Sequence, residues 1–205
     1  MGLNEQARYD LSLICLPFKP RPPRHVVFPH RPEQFEGVLP QAELARATGA
    51  EVINCESEAD IPVGMDLYMV MIGVLLTGDF LASTKVLNCH AGIIPLVRGL
   101  DAFKWAILEK QPLGNTLHFI DAEIDAGEIV STLPTEVRPH DSLEGLAQRH
   151  YQSEIDSLIN FERHLENRSN SFAGCQPLPP HRRMPMEKER EMMASFSSYL
   201  ELFAK

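Results

Sequence analysis

Short apolar runs, each closed by proline, glycine or turn residues, recur along this chain with helical spacing between them. Leu11–Leu16 ends at Pro17, and Glu51–Asn54, Leu67–Ile72, Val86–Leu87, Thr116–Ile120 and Ile129–Leu133 follow. Runs of this length bounded by breakers read as strands. Helices are expected from Pro40 to Thr48, with Pro40 near the first turn and Gly49 at the end, and from Leu100 to Lys110. A third follows Asp141 and Glu144, which have capping-box spacing, and carries Leu143, Leu146, Ala147, Tyr151, Ile155, Leu158 and Ile159 at helical intervals. The last, Glu187–Phe203, is amphipathic and is expected to place Met193, Phe196, Leu200 and Phe203 on one face. Strands and helices alternating in this order imply an α/β chain with a mostly parallel sheet, its sites at the carboxyl ends of the strands.

Two segments fall outside this pattern. Pro17–Pro32 is dense in proline, which fixes φ and removes a backbone donor, so it reads as an extended loop. Asn167–Pro180, rich in Ser, Asn, Gly and Pro, reads as a second loop.

The chain's 205 residues suit one domain with a proper core. A net charge of −9 argues against a nucleic acid as the main partner, because that affinity rests on Lys and Arg neutralising phosphates. The four cysteines are scattered with no C-x-x-C pair, the pattern of reduced thiols in a cytoplasmic protein. No metal-ligand spacing appears among the eight histidines. Met1–Asp10 has no apolar run of a signal peptide, and Leu67–Leu76 is about half the length that spans a bilayer, so no membrane partner is expected.

Chemistry concentrates at Asn88-Cys89-His90 and at Asp125-Ala126-Gly127. An amide and a protonated imidazole can both donate to an oxygen that is becoming negative. The imidazole can also exchange a proton with an attacking amine while a carboxylate orients it. Residues i and i+2 leaving a strand project to one side, which puts Asn88 and His90 together and points Cys89 away as a small buried hydrophobe. Each piece alone has an ordinary reading. An N-x-H pair is usually a loop, Asp before Gly is usually a turn, and His118 inside a strand reads as a structural histidine. Arg98-Gly99 reads either as a solvated turn or as a brace holding a loop over the site.

Taken together, Asn88/His90, Pro95, Arg98-Gly99, the helix after it, Gly114/Thr116/His118 and Asp125/Gly127 resemble, in order, the catalytic domain of the folate-dependent formyltransferases. The resemblance implies a Rossmann-like formyltransferase fold over residues 1–165, with 166–205 as a C-terminal loop and amphipathic helix. It implies Asn88, His90 and Asp125 as catalytic residues and 10-formyltetrahydrofolate as formyl donor, with no metal. The donor's pterin would lie against Gly73, Val74, Leu75 and Leu76 and against Ile120, Asp121, Ala122, Glu123 and Ile124. Gly92, Pro95 and Arg98 would face the acceptor. Two departures stand out: His90-Ala91-Gly92 replaces the frequent His-Pro-Ser, and the chain is expected to lack the family's usual first βα unit.

The implied reaction is transfer of formyl to a primary amine on a small acceptor. Methionyl-tRNA formyltransferases carry a further domain for tRNA, and glycinamide ribonucleotide transformylases grip phosphate with the early glycine-rich turn. An amino sugar or similar metabolite is therefore the expected acceptor, with a homodimer as an option. Methionyl-tRNA or glycinamide ribonucleotide formyltransferase-like activity, formyltetrahydrofolate hydrolysis and a non-catalytic folate-binding role stay open as alternatives.

Overall fold

A computed structural model describes residues 9–17, 24–31, 37–70, 76 and 79–205. Among the described residues six strands form two sheets: β1 (Ser12–Cys15) with β2 (Glu51–Asn54), and β3 (Tyr68–Met69), β4 (Val86–His90), β5 (Gly114–Phe119) and β6 (Ile129–Pro134) in that order. The helices are α1 (Gln41–Thr48), α2 (Asp79–Ser83), α3 (Ala102–Leu108), α4 (Leu143–Ile159), α5 (Phe161–Glu166) and α6 (Met186–Phe203).

The chain is α/β, and its sheets are parallel at β1–β2 and β3–β4 but antiparallel at β4–β5 and β5–β6. β5 returns beside β4 after α3 and the turn that follows it. β6 then forms a hairpin with β5, which needs no crossover. Every residue of β5 is buried, with α4 packed on β4 and β5. The expected strand over Leu67–Ile72 is two residues long, and its last two positions lie outside the described residues.

β4 extends further than the sequence suggests. It continues through Asn88, Cys89 and His90, which therefore stand within a ladder and not on the loop beyond it. α4 also starts differently. Ser142 is its N-cap, its side chain accepting from the Gly145 backbone N–H at 3.0 Å, while Asp141 holds the Arg138 N–H and the Arg149 guanidinium. A hydroxyl one position later satisfies the same orphan donors.

α6 presents a different stripe from the expected one. Its buried residues are Glu189, Met192 and Tyr199; Phe196, Leu200 and Phe203 pack beside them, and Met193 is exposed. The stripe includes a carboxylate because α3 places Lys104 opposite it. Lys104 Nζ donates to Glu189 Oε1 at 2.6 Å, and the pair is almost wholly buried. Arg24 and the backbone N–H groups of Val27 and Phe28 complete the carboxylate's partners and tie the N-terminal loop to α6. A main core of Phe28, Val97, Phe103, Ile107, Leu146, Met184, Met192 and Tyr199 fills the space between α3, α4 and α6.

Candidate active site

Alternation along β4 sorts its residues by chemistry. Leu87 and Cys89 point into a core cluster with Leu117, Phe119 and Val130, which leaves Asn88 and His90 on the opposite face. Cys89 Sγ lies 3.0 Å from the Ser157 hydroxyl, and burial pushes its thiol up to about 12. Such a thiol stays protonated and is no nucleophile.

The antiparallel register sets His118 of β5 opposite Asn88 and Thr116 opposite His90. Asn88 Nδ2 donates to His118 Nε2 at 3.1 Å. His118 is fully buried, and burial, reinforced by the neighbouring His90, holds its pKa down at about 4. A neutral ring with an acceptor nitrogen is what the Asn88 amide requires. His118, read from sequence as structural, is therefore part of the polar cluster. Its place follows from register: β5, antiparallel to β4, sets a residue thirty positions away beside Asn88.

Beyond His90 the chain is held from three sides. His90 Nε2 donates to the Val97 carbonyl at 2.8 Å, closing its own loop. The Thr116 hydroxyl donates to Gly92 O at 2.7 Å and accepts from Ile94 N at 3.0 Å. His150, buried beneath, lies 3.3 Å from the Ala91 carbonyl through Nε2 and takes the Thr135 hydroxyl on Nδ1 at 2.8 Å. Burial lowers its pKa to about 3.

Asp125 reaches the cluster from the loop between β5 and β6. Its φ of 47° is left-handed, a conformation in which Asp is among the better tolerated residues. Oδ2 accepts from the Gly99 N–H at 2.7 Å and lies 3.4 Å from His90 Nδ1, while Oδ1 is 3.9 Å from His118 Nε2. Arg98 fixes the backbone around it: Nε donates to the carbonyls of Ile124 and Asp125 at 3.0 and 2.9 Å. Of the two readings of Arg98-Gly99, the brace matches these contacts. Gly127 permits the loop's return, since a Cβ there would stand 1.9 Å from the Phe119 carbonyl oxygen. With the ring's Nε2 on a carbonyl and its Nδ1 facing a carboxylate, His90 has an acceptor at each nitrogen.

Asn88, His90 and Asp125 thus converge, joined by His118. Of the residues expected to face the donor, Gly73, Val74 and Leu75 lie outside the described residues. Leu76 is buried among Tyr68, Phe80 and Val86, with Ile120 half-buried against that cluster. Asp121, Ala122, Glu123 and Ile124 form an exposed loop leading directly to Asp125, with the Ile124 carbonyl held by Arg98 and the Glu123 N–H by Asp121. Gly92 is buried with its carbonyl taken by Thr116. Pro95 and Arg98 instead line a cavity of about 380 Å³ that reaches Asp125. Among the described residues no group of His, Cys, Asp or Glu could hold a metal ion, and no helix is long and apolar enough to cross a membrane.

The chain is 32% identical over 88 residues to phosphoribosylglycinamide formyltransferase of Bacillus subtilis, covering 42% of this chain and 44% of that protein. It is 33% identical over 141 residues to methionyl-tRNA formyltransferase of Corynebacterium efficiens, covering 61% of this chain and 45% of that protein. The chain therefore spans less than half the length of these curated relatives. In fold it is similar to a sugar N-formyltransferase from a Shewanella species, with a TM-score of 0.56 at 20% identity over 76% of this chain and 70% of that one. The formyltransferase PseJ of Anoxybacillus kamchatkensis, solved with a UDP-linked formamido sugar and tetrahydrofolate, gives 0.51 at 17% identity over 81% and 94%. The family model described as Formyl transferase matches residues 44–161, more than half of the chain and the whole of the polar cluster, and the chain belongs to that family.

Proposed function

We propose that the protein transfers a formyl group from 10-formyltetrahydrofolate to the primary amine of a small acceptor, most simply an amino sugar. The observation that carries this reading is the convergence of the Asn88 amide, the His90 ring and the Asp125 carboxylate at one point between β4 and the β5–β6 loop. Family membership supports the donor, and the sugar N-formyltransferase likeness supports the acceptor class.

The unprotonated amine attacks the formyl carbon, forming a C–N bond as the carbonyl electrons move onto oxygen. The second N–H of Asn88 donates to that oxyanion, with the His90 ring fixed beside it between Val97 and Asp125. Asp125, held by Gly99, keeps the His90 ring oriented through Nδ1. The bond from the formyl carbon to the folate nitrogen then breaks. The amine's surplus proton passes to Asp125, directly or through water, and is handed on to that nitrogen as it leaves. His118, neutral, holds the Asn88 amide in place. Asp121–Ile124 and the Gly73–Leu76 segment would receive the pterin.

Calorimetric titration with 5-formyltetrahydrofolate, a non-transferable relative of the donor, tests the donor site. Saturable binding is expected. A folded protein that does not bind it would overturn the reading. Formate release without added amine would instead mark hydrolysis as the activity.

A further inference from the structure

The cavity beside Asp125 has a second wall that the catalytic cluster does not use. Residues 170–177 cross it as an exposed, irregular segment, contributing Asn170, Phe172, Ala173, Cys175 and Pro177. Chain of this kind stays in place only when pinned, and here both ends are. At one end Ser169 bridges to Ser131, with the Thr132 N–H on Ser169 O at 2.9 Å, and the Ser171 N–H meets the Thr132 hydroxyl at 3.1 Å. At the other, the Leu178 N–H donates to Pro95 O at 3.0 Å and Arg98 reaches Leu178 O. Between the pins, Asn170 organises a turn through the Phe172 N–H.

The lining defines what fits. Ile94, Pro95, Ala126, Ile129, Phe172 and Pro177 make it largely apolar. Its charged members are Asp125, Glu123 and Arg98, and the Arg98 guanidinium already serves the Ile124, Asp125 and Leu178 carbonyls. Arg98 also pairs with Glu123 at 3.9 Å, which leaves the Asp125 carboxylate as the uncompensated charge of the lining and favours an ammonium group over a phosphate. About 380 Å³ is at the small end of ligand sites. Asp125 belongs both to the cavity and to the polar cluster, its Oδ2 lying 3.4 Å from His90.

We infer that this cavity is the acceptor subsite, and that segment 170–177 sets its specificity. It takes a small primary amine on a carbon-rich, deoxygenated frame, and any phosphate the acceptor carries stays outside. This rests on the formyl-transfer reading above. The chemistry is unchanged: the amine seated here forms the new C–N bond and passes its proton toward Asp125.

The experiment fills the cavity in two ways: by Ala173→Phe, and by alkylating Cys175 with N-ethylmaleimide. Cys175 is the exposed cysteine, whereas Cys55 and Cys89 are buried; Cys15 is replaced by Ser beforehand. Probes are cyclohexylamine, a free amino-dideoxyhexose and glucosamine phosphate, with 5-formyltetrahydrofolate binding measured in parallel. The first two probes are expected to be formylated by the unfilled protein and to slow Cys175 alkylation. Filling is expected to raise their KM at least about tenfold while folate binding stays within about twofold. If Ala173→Phe does not fold, the alkylated protein carries the test. Unchanged KM after filling overturns the cavity assignment and leaves formyl transfer standing. Preference for glucosamine phosphate, or folate binding with no amine protected or formylated, overturns the acceptor class. A folded protein that neither binds folate nor transfers formyl overturns both readings.

Discussion

The backbone N–H of Gly99 donates to the Asp125 carboxylate at 2.7 Å, across 26 residues of sequence. Gly99 can do this because it lies under the C-terminal segment: its φ is 88°, and a Cβ there would stand 2.2 Å from the His181 carbonyl oxygen. That carbonyl accepts from the Leu100 N–H at 3.0 Å, and the His181 ring stacks on Trp105 with centroids 4.3 Å apart. The position of the Asp125 carboxylate thus depends on chain beyond the family match, which ends at residue 161.

Gly99→Ala should therefore damage function more than its distance from the chemistry suggests. Left-handed φ and the collision with His181 together are expected to cost about 1–3 kcal/mol. The tail would be pushed outward and Asp125 released. Thermal unfolding and formyl-transfer rate, measured on one preparation, check this; a variant equal to wild type in both would show that the brace is unnecessary.

How far the sequence disclosed this site depends on the range of the interaction. Asn88 and His90 were legible as a same-side pair because strand alternation is local. Asp125 was legible as an Asp-x-Gly turn, though the φ of 47° and the Arg98 contacts that place it are not. His118 was legible as a structural histidine, but not its partner Asn88, which is set by an antiparallel register between distant strands. The buried stripe of α6 was misplaced for a related reason: counting apolar residues finds Met193 and overlooks Glu189, a carboxylate buried because Lys104 of α3 meets it.

That ion pair yields a prediction of its own. Glu189→Gln leaves the Lys104 ammonium buried without its counter-charge and is expected to cost about 3–5 kcal/mol. The double variant Lys104→Met/Glu189→Leu should recover most of this. Denaturant unfolding of the three proteins measures it. Burial works to raise the Glu189 carboxyl, but hydrogen bonds from Lys104, Val27 and Phe28 outweigh it and hold the pKa below its usual 4.5. A depressed carboxyl contributes stability present above its unfolded value and lost as pH falls through its folded one. The Glu189→Gln penalty should therefore shrink below about pH 4.5.

Acid stability should show the buried histidines. Burial is the main cause holding His30 and His118 near 4 and His150 near 3, against an ordinary value of 6.5. Below 6.5 the unfolded chain binds protons that the folded chain refuses, so stability falls as pH drops from about 6.5 toward 4. Each group adds a slope of at most about 1.4 kcal/mol per pH unit. The unfolding midpoint followed between those limits should decline steadily, and less steeply in His150→Gln. A flat profile would mean that these rings are charged in the fold.

The central claim is that Asn88, His90 and Asp125 act together on a formyl group. Its most direct test is the single-turnover rate of formyl transfer from 10-formyltetrahydrofolate, compared among wild type, Asn88→Ala and Asp125→Ala, each shown to be folded and to bind 5-formyltetrahydrofolate. The account predicts transfer by wild type and a loss of roughly 100- to 1000-fold in Asn88→Ala, the typical effect of removing one oxyanion donor. It predicts at least a comparable loss in Asp125→Ala, with folate binding retained in both. Transfer at the wild-type rate in either variant would contradict it.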